Sequence, residues 1–170
     1  MTLDLIATER LVLRAPELSD APRIARFAGD PGVARMTCSF PLQQTVVGAE
    51  GWILLRQAVA GLTDGVQYAI DLPGEGLVGL IGAHENGDAL EIGYWLGKPF
   101  WKRGYATEAL QAVIERVRPY GQIIAGHFTD NPASGRTLEK AGFVYTGEVT
   151  PLFSLARGES APTRRMRLAA

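Results

Sequence analysis

The stretch from Glu91 to Leu110, EIGYWLGKPFWKRGYATEAL, changes its periodicity at Gly104. Before the glycine, apolar residues alternate as in a strand. After it they recur at three- and four-residue steps, as in a helix with one buried face. The first amides of a helix have no intrahelical partner and lie at the positive end of its dipole. The part FWKRGYATEAL therefore fits either an anion-binding loop, in which Lys102 and Arg103 add charge and Gly104 permits close backbone approach, or an ordinary basic turn.

The elements around this stretch predict a mixed α/β protein. Alternation and turn residues predict strands in ERLVLRAP, in three runs between Val66 and Gly97 with turns at Pro73-Gly74 and Asn86-Gly87, and in QIIAGHF, VYTGEV and TRRMRLA. Helical spacing predicts helices in SDAPRIARFAGD, from about Gln43 to Ala60, after Gly104, and in NPASGRTLEKAGF. A strand–helix–strand order in the second half predicts a pair of parallel strands.

Composition sets limits on function. The 170 residues suit one domain spanning 1–170, and 46% hydrophobic with 21% charged residues is ordinary for a globular protein. A net charge of -1 argues against a nucleic-acid binder. We expect a cytoplasmic protein with no membrane partner, because the first residues lack the basic and apolar pattern of a signal peptide and no apolar run reaches the length that spans a bilayer. The single cysteine, Cys38, is expected to be a small buried hydrophobe.

A second segment, HFTDNPASGRTLEKAGF, runs from His127 to Phe143. Asn131 and Ser134 are three residues apart and share one helix face near its start. Two helix starts at the carboxyl ends of neighbouring parallel strands form a crevice, the usual ligand position in such sheets. The residues alone leave open whether Asn131 is only a helix cap and Ser134 only a solvent-facing residue.

Together the two segments closely resemble the GNAT superfamily of acetyl-CoA-dependent N-acetyltransferases. The similarity is greatest to the branch of ribosomal-protein N-terminal acetyltransferases, and it extends to TERLVLRAPELSDA and GFVYTGEV. The resemblance implies a central mixed sheet of about six to seven strands flanked by about four helices. It also implies acetyl-CoA as co-substrate and no metal.

The resemblance assigns donor-binding residues by position. The family loop Gln/Arg-x-x-Gly-x-Gly/Ala has Trp101 in first place here, while Gly104 and Ala106 match. Backbone amides of the loop are implied to hold the pyrophosphate, namely those of Lys102, Arg103, Gly104, Tyr105, Ala106 and Thr107. The preceding strand is implied to pair with the pantetheine arm through Tyr94, Trp95, Leu96 and Gly97. Further contacts fall to Asn131, Ser134 and Arg136, with Lys140 a second partner for outer phosphates.

The implied reaction is direct attack of a neutral amine on the thioester carbonyl. Catalytic roles fall on Glu91 as general base, on Ser134 as acid and on Asn131 near the thioester. The base assignment leaves His84, Glu85, His127 or a water chain open, and His127 also fits a structural histidine donating to a carbonyl. In many family members a tyrosine protonates the leaving thiolate. This chain has Leu138 at that position, so the tyrosine's role does not carry over.

The acceptor is expected to be a primary amine, either a protein N-terminus or a small molecule. The region from Phe27 to Leu62 carries Trp52 but no acidic cluster, which favours small or neutral acceptors. The alternative function is a non-catalytic acyl-CoA sensor or interaction module. The protein is expected to be a monomer or homodimer.

Overall fold

The computed structural model describes residues 4–59 and 65–169. Its strands are β1 (Ile6–Ala7), β2 (Val12–Arg14), β3 (Val66–Leu72), β4 (Gly76–Asn86), β5 (Ala89–Leu96), β6 (Gln122–Phe128), β7 (Phe143–Ser154) and β8 (Glu159–Leu168). Its α-helices are α1 (Ala21–Ala28), α2 (Pro31–Ala34), α3 (Val46–Val59), α4 (Tyr105–Val117) and α5 (Pro132–Lys140). The mixed α/β class is confirmed, with two elements beyond the predicted numbers: the two-residue β1 and the four-residue α2.

The eight strands of the described residues form one sheet in the order β1-β2-β3-β4-β5-β6-β8-β7. β5 and β6 run parallel, as predicted, and the other neighbouring pairs are antiparallel. The predicted turns are confirmed, because Gly74 and Gly87 both take positive φ between paired strands. The carboxyl ends of β5 and β6 therefore meet at one edge, and each leads into the start of a helix.

The helices lie on both faces of the sheet. The side chain of Tyr94 reaches Ser134 of α5, while that of Trp95 packs on Phe40, which packs on Trp52 of α3. Adjacent strand residues point to opposite faces, so α5 and α3 lie on opposite faces. α4 packs with α5, and α1 packs with α3. The α3 face, which carries Trp95, is the side where the family resemblance implies the acceptor, and it is called the acceptor face below.

The buried side of α4 agrees with its apolar spacing. Its Ala109, Leu110, Val113, Ile114 and Val117 are all buried. They fall on one helix face at spacings of three and four residues, such as 110 to 113 and 109 to 113, so burying this stripe anchors the helix against the sheet. The start of α4 at Tyr105 is thereby fixed next to the end of β5.

Helix α3 begins later than predicted. Gln43 has φ 57°, which interrupts a helix, and Thr45 accepts a hydrogen bond from Gly48 N at 3.0 Å through its side chain. Thr45 thus caps the helix in place of the predicted start near Gln43. The predicted end at Ala60, and the last residues of the Phe27–Leu62 region, lie outside the described residues.

Membrane-spanning helices are absent from segments 4–59 and 65–169, since no helix there is both long and apolar enough to cross a bilayer.

Candidate active site

The parallel strands β5 and β6 separate along their length. They pair from Ala89 and Gln122 as far as Ile92 and Ala125, although both strands continue for several residues. Beyond this point β6 pairs only with β8 on its other side, and β5 only with β4. A gap bordered by one unpaired edge of β5 therefore opens toward the carboxyl ends of the two strands.

Two of the four predicted strand residues turn their backbone toward this gap. The N–H of Gly97 donates to Val78 O of β4 at 2.9 Å, so the carbonyl of Leu96 in the same trans peptide points away from β4. Backbone groups alternate sides along a strand, which places those of Tyr94 on the gap side and those of Trp95 on the β4 side. An extended ligand therefore finds unpaired backbone groups at Tyr94 and Leu96.

Trp101 bridges the strand to the loop that follows it. Its indole Nε1 donates to the carbonyl of Leu96 at 2.7 Å, which occupies that acceptor. The N–H of Leu96 and the N–H and C=O of Tyr94 are the groups left facing the gap. The first position of the family loop thus has a structural function in this chain.

The loop before α4 carries two residues with left-handed backbone conformation, Lys102 with φ 61° and Gly104 with φ 83°. The first intrahelical hydrogen bond runs from Glu108 N to Gly104 O at 3.1 Å, so the amides before Glu108 precede the helical ladder. The side chains of Lys102 and Arg103 are exposed. This arrangement suits a phosphate, held mainly by backbone N–H groups at the positive end of α4.

The start of α5 lies at the same end of the gap as the start of α4. Asn131 caps it, as predicted, since its Oδ1 accepts from Ser134 N at 3.2 Å. The Ser134 hydroxyl lies 3.0 Å from the hydroxyl of Tyr94. Burial raises the pKa of Tyr94, against the hydrogen bond with Ser134, so the phenol stays protonated at neutral pH. Arg136, two residues after Ser134, is exposed.

His127 lies beneath α5 in a structural arrangement. Its Nδ1 donates to Phe128 O at 2.8 Å, and Nε2 then accepts from the hydroxyl of Tyr145 at 3.1 Å. A Cβ on Gly135 would stand 2.5 Å from that hydroxyl and 2.7 Å from Nε2. Glycine therefore lets α5 approach the sheet this closely. Leu138, in the family's tyrosine position, is fully buried.

Glu91, the predicted base, lies on the acceptor face within an ion pair. Its Oε1 accepts from Arg165 Nη1 at 2.8 Å, and its Oε2 accepts from the amide of Asn86. Burial opposes its charge, but hydrogen bonds from Arg165 and Asn86 outweigh burial and lower its pKa. A Cβ on Gly126 would lie 2.9 Å from Arg165 Nη1, so this glycine makes room for the arginine to cross β6.

The two other base candidates that the sequence left open, His84 and Glu85, are separated by the sheet register. His84 faces Glu91 across the strand pair, so it shares the acceptor face, and its side chain is exposed. Glu85 pairs with Leu90 and points to the opposite face. Gly93 has nothing within 4 Å of an added Cβ, which leaves the acceptor face open to solvent at mid-sheet.

Cys38 is half-buried, not fully buried as expected. Burial, followed by the charge of Glu91, raises the pKa of its thiol. A thiol that stays protonated is a weak nucleophile, so the prediction that Cys38 is not catalytic is consistent with its surroundings.

Within the described ranges, no three or more His, Cys, Asp or Glu residues are arranged to hold a metal ion. A cavity of about 390 Å³ at the opposite end of β6 is lined in part by Arg118, Gly121 and Arg167. It lies at the amino end of β6, away from both helix starts.

Sequence reasoning missed two side chains at the gap. The hydroxyl of Tyr94 was not expected to meet Ser134, although strand alternation places Tyr94 opposite Glu91 and therefore on the α5 face. Arg165 was not expected to pair with Glu91, because 74 residues separate them and only the β5-β6-β8 order brings them together.

Comparison with known proteins identifies the family. A family model described as "Acetyltransferase (GNAT) domain" matches residues 10–144. The uncharacterized N-acetyltransferase YoaA of Bacillus subtilis is 31% identical over 159 residues, 84% of this chain and 84% of that protein. A GNAT-family acetyltransferase from Bacillus anthracis has the same fold, with a TM-score of 0.81 at 23% identity, covering 97% of this chain and 98% of that one.

A further structural neighbour is the ribosomal L7/L12 alpha-N-protein acetyltransferase RimL, solved in complex with coenzyme A. It matches with a TM-score of 0.81 at 18% identity, covering 96% of this chain and 97% of that one. The resemblance to the GNAT superfamily inferred from the two sequence segments is confirmed by the family model and the curated relative. The protein is an acetyltransferase that uses acetyl-CoA, and its chain belongs to the GNAT family.

Proposed function

We propose that this enzyme transfers the acetyl group of acetyl-CoA to a primary amine by direct attack on the thioester. The observation that carries the proposal is the gap between β5 and β6, which has free backbone groups at Tyr94 and Leu96 along one side. The starts of α4 and α5 stand at the same end of the gap. An extended pantetheine arm fits this border, and a pyrophosphate fits the amides around Gly104.

In this arrangement the thioester lies near the start of α5. The Nδ2 group of Asn131 remains available to the pantetheine arm, since its Oδ1 is used for the cap. The oxyanion of the tetrahedral intermediate is met by the N–H of Leu96 or Tyr94. Exposed Arg136 and Lys140 are placed to attract the outer phosphates of the donor. Most of the rate acceleration comes from holding donor and amine in line.

The amine approaches from the acceptor face, over the exposed backbone of Gly93. Aromatic side chains line the interior of this face. The ring centroid of Phe40 lies 5.7 Å from that of Trp95 and 5.7 Å from that of Trp52. The carboxylate of Glu91 is already neutralised by Arg165. These features favour a small amine or an uncharged peptide N-terminus over a basic peptide.

We assign Glu91 to holding Arg165 and not to proton transfer. Its lowered pKa makes it a weaker proton acceptor than an ordinary glutamate, and both of its oxygens already accept hydrogen bonds. Water above Gly93 takes the proton instead, with exposed His84 on the same face. The reaction rate then rises with pH as the acceptor amine loses its proton.

The variant Glu91→Gln tests this assignment. We expect kcat to stay within about tenfold of wild type, whereas removal of a general base costs roughly 10²- to 10⁴-fold. Steady-state kinetics from pH 6 to 9 measure this. Because the pKa of Glu91 is lowered, this carboxylate is ionised throughout that range under either assignment, so the kcat of the variant decides between them. A loss beyond about 10²-fold would restore Glu91 as the base.

Ser134 is assigned as the acid that protonates the leaving thiolate, with Tyr94 hydrogen-bonded to it. Ser134→Ala should lower kcat by about tenfold and Tyr94→Phe by somewhat less, because a thiolate needs little help in leaving. The Kd for coenzyme A should change less than twofold in both variants. Steady-state kinetics measure kcat and calorimetry measures the Kd. The control is Ser19→Ala, which alters an exposed serine more than 100 residues before Ser134 in the chain. Unchanged kcat in both variants would remove the assignment.

The activity itself is tested with pure protein, acetyl-CoA and a panel of amines that includes polyamines, amino acid amides and short peptides. We expect amine-dependent release of the free thiol and an N-acetylated product by mass spectrometry. Tight coenzyme A binding without acetylation of any amine would favour the acyl-CoA sensor instead.

A further inference from the structure

An arginine near the start of the chain contacts the loop that precedes α4. Arg10 lies in the turn before β2, and its Nη1 donates to the carbonyl of Arg103 at 2.9 Å. Its guanidinium carbon lies 4.8 Å from the ring centroid of Tyr105. Between these two contacts, a Cβ added to Gly104 would stand 3.2 Å from Arg10 Nη2. One side chain thus contacts the loop on both sides of its left-handed glycine.

The same arginine neutralises an acidic residue in the first turn of α4. Glu108 Oε2 accepts from Arg10 Nε at 2.8 Å and lies 2.7 Å from Nη2. Its Oε1 accepts from the Arg10 backbone at 2.8 Å and from the hydroxyl of Thr8 at 2.6 Å. Burial opposes ionisation of Glu108, but the hydrogen bonds from Thr8 and Arg10 outweigh burial and lower its pKa. The carboxylate is therefore charged at neutral pH.

These contacts have two physical consequences for an anion at the loop. In a planar trans peptide the C=O and N–H point in opposite directions, so drawing the Arg103 carbonyl toward Arg10 turns the Gly104 N–H away from Arg10. Without Arg10, the negative charge of Glu108 would also lie uncompensated in the first helical turn. A phosphate there would be repelled by it.

We infer that Arg10 is a positioning residue for the donor pyrophosphate, aiming the Gly104 amide and cancelling the charge of Glu108. The inference rests on the proposed placement of the pyrophosphate at this loop. Arg10 acts through the loop and the carboxylate, and Thr8 completes the arrangement by holding the other oxygen of Glu108.

The test combines two substitutions with two acetyl donors. Arg10→Gln should raise the Kd for coenzyme A about tenfold, since a charge-assisted hydrogen bond is lost and a carboxylate is uncovered. Adding Glu108→Gln to Arg10→Gln should recover part of the lost affinity, because the repulsion disappears while the Arg103 carbonyl stays unheld. With S-acetylpantetheine, which lacks the pyrophosphate, kcat/KM should stay within about twofold of wild type in Arg10→Gln. A purely structural defect would impair both donors and would not be relieved by the second substitution.

Arg116→Gln is the matched control. Arg116 Nη2 lies 3.5 Å from Asp4 Oδ2, so it joins the other end of α4 to the amino-terminal segment that carries Arg10. The control substitution therefore perturbs the contact between α4 and this segment without touching the loop. Thermal melting verifies folding, and Arg10→Lys provides a second variant that keeps the charge and should fall between wild type and Arg10→Gln.

The outcomes distinguish a failure of the role of Arg10 from a failure of the proposed pyrophosphate site. If Gly104→Val loses coenzyme A while Arg10→Gln binds it like wild type, the role of Arg10 is overturned and the pyrophosphate site stands. Equal losses with both donors, or no recovery in the double variant, also overturn it. If folded wild-type protein does not bind coenzyme A, the donor site fails and the role of Arg10 fails with it.

Discussion

Gly135→Ala is expected to lower kcat by about 10²-fold, because reacting groups displaced by about 1 Å lose that much. A Cβ at this position would stand 2.5 Å from the Tyr145 hydroxyl and 2.7 Å from His127 Nε2. Both atoms belong to side chains held by a mutual hydrogen bond, so α5 itself must move outward. That movement carries Asn131 and Ser134 away from the gap. Overpacking of this kind should also cost about 1–3 kcal/mol of folding stability.

Kinetics at a temperature well below the melting point, with melting followed by circular dichroism, separate the two effects. Gly51→Ala is the matched control. Gly51 lies within helix α3, and nothing approaches within 4 Å of an added Cβ. That substitution should leave kcat unchanged and raise stability by about 0.5–1 kcal/mol. Wild-type kcat in a folded Gly135→Ala protein would show that the start of α5 does not position the reaction.

Gly104→Val is expected to raise the Kd for coenzyme A on the order of 10²-fold. A β-branched residue is a poor fit at φ 83°, so the loop must change its conformation. Losing two charge-assisted amide–phosphate hydrogen bonds, at about 1.5 kcal/mol each, accounts for that factor. Isothermal calorimetry with coenzyme A measures the change directly and does not require turnover.

Gly74→Val controls for backbone strain alone. Gly74 has φ 85°, nearly the same as Gly104, and lies in the turn between β3 and β4 with open space around it. The two variants should lose similar folding stability, while only Gly104→Val loses coenzyme A. Equal affinity in both variants would place the pyrophosphate elsewhere.

Local patterns in the sequence were sufficient for most of the fold. The change of period at Gly104 located the junction of β5 and α4, and the Asn131-Pro132 pair located the start of α5, because capping depends on residues close in sequence. The two-residue β1 is too short to show alternation. The start of α3 shifted because Gln43 adopts φ 57°, a conformation that apolar spacing does not report.

The candidate site was predictable in its backbone part and not in its side-chain part. The loop around Gly104 follows from a local motif. The partners of Glu91 and Glu108 lie 74 and about 98 residues away in the chain, so only the assembled sheet brings Arg165 and Arg10 to them. The Tyr94–Ser134 contact likewise joins residues 40 positions apart. Such partners decide whether a carboxylate serves as a base or as an anchor. The single domain, the cytoplasmic location and the monomeric or dimeric state stay predictions.

The most direct test of the account is a titration of ¹⁵N-labelled protein with coenzyme A, followed by amide chemical shifts. We predict the largest shifts at the amides from Lys102 to Thr107 and at Tyr94 and Leu96, with little change around Arg118 and Arg167. The largest shifts in the Arg118–Arg167 cavity, with the Gly104 loop unaffected, would contradict the placement of the donor between β5 and β6.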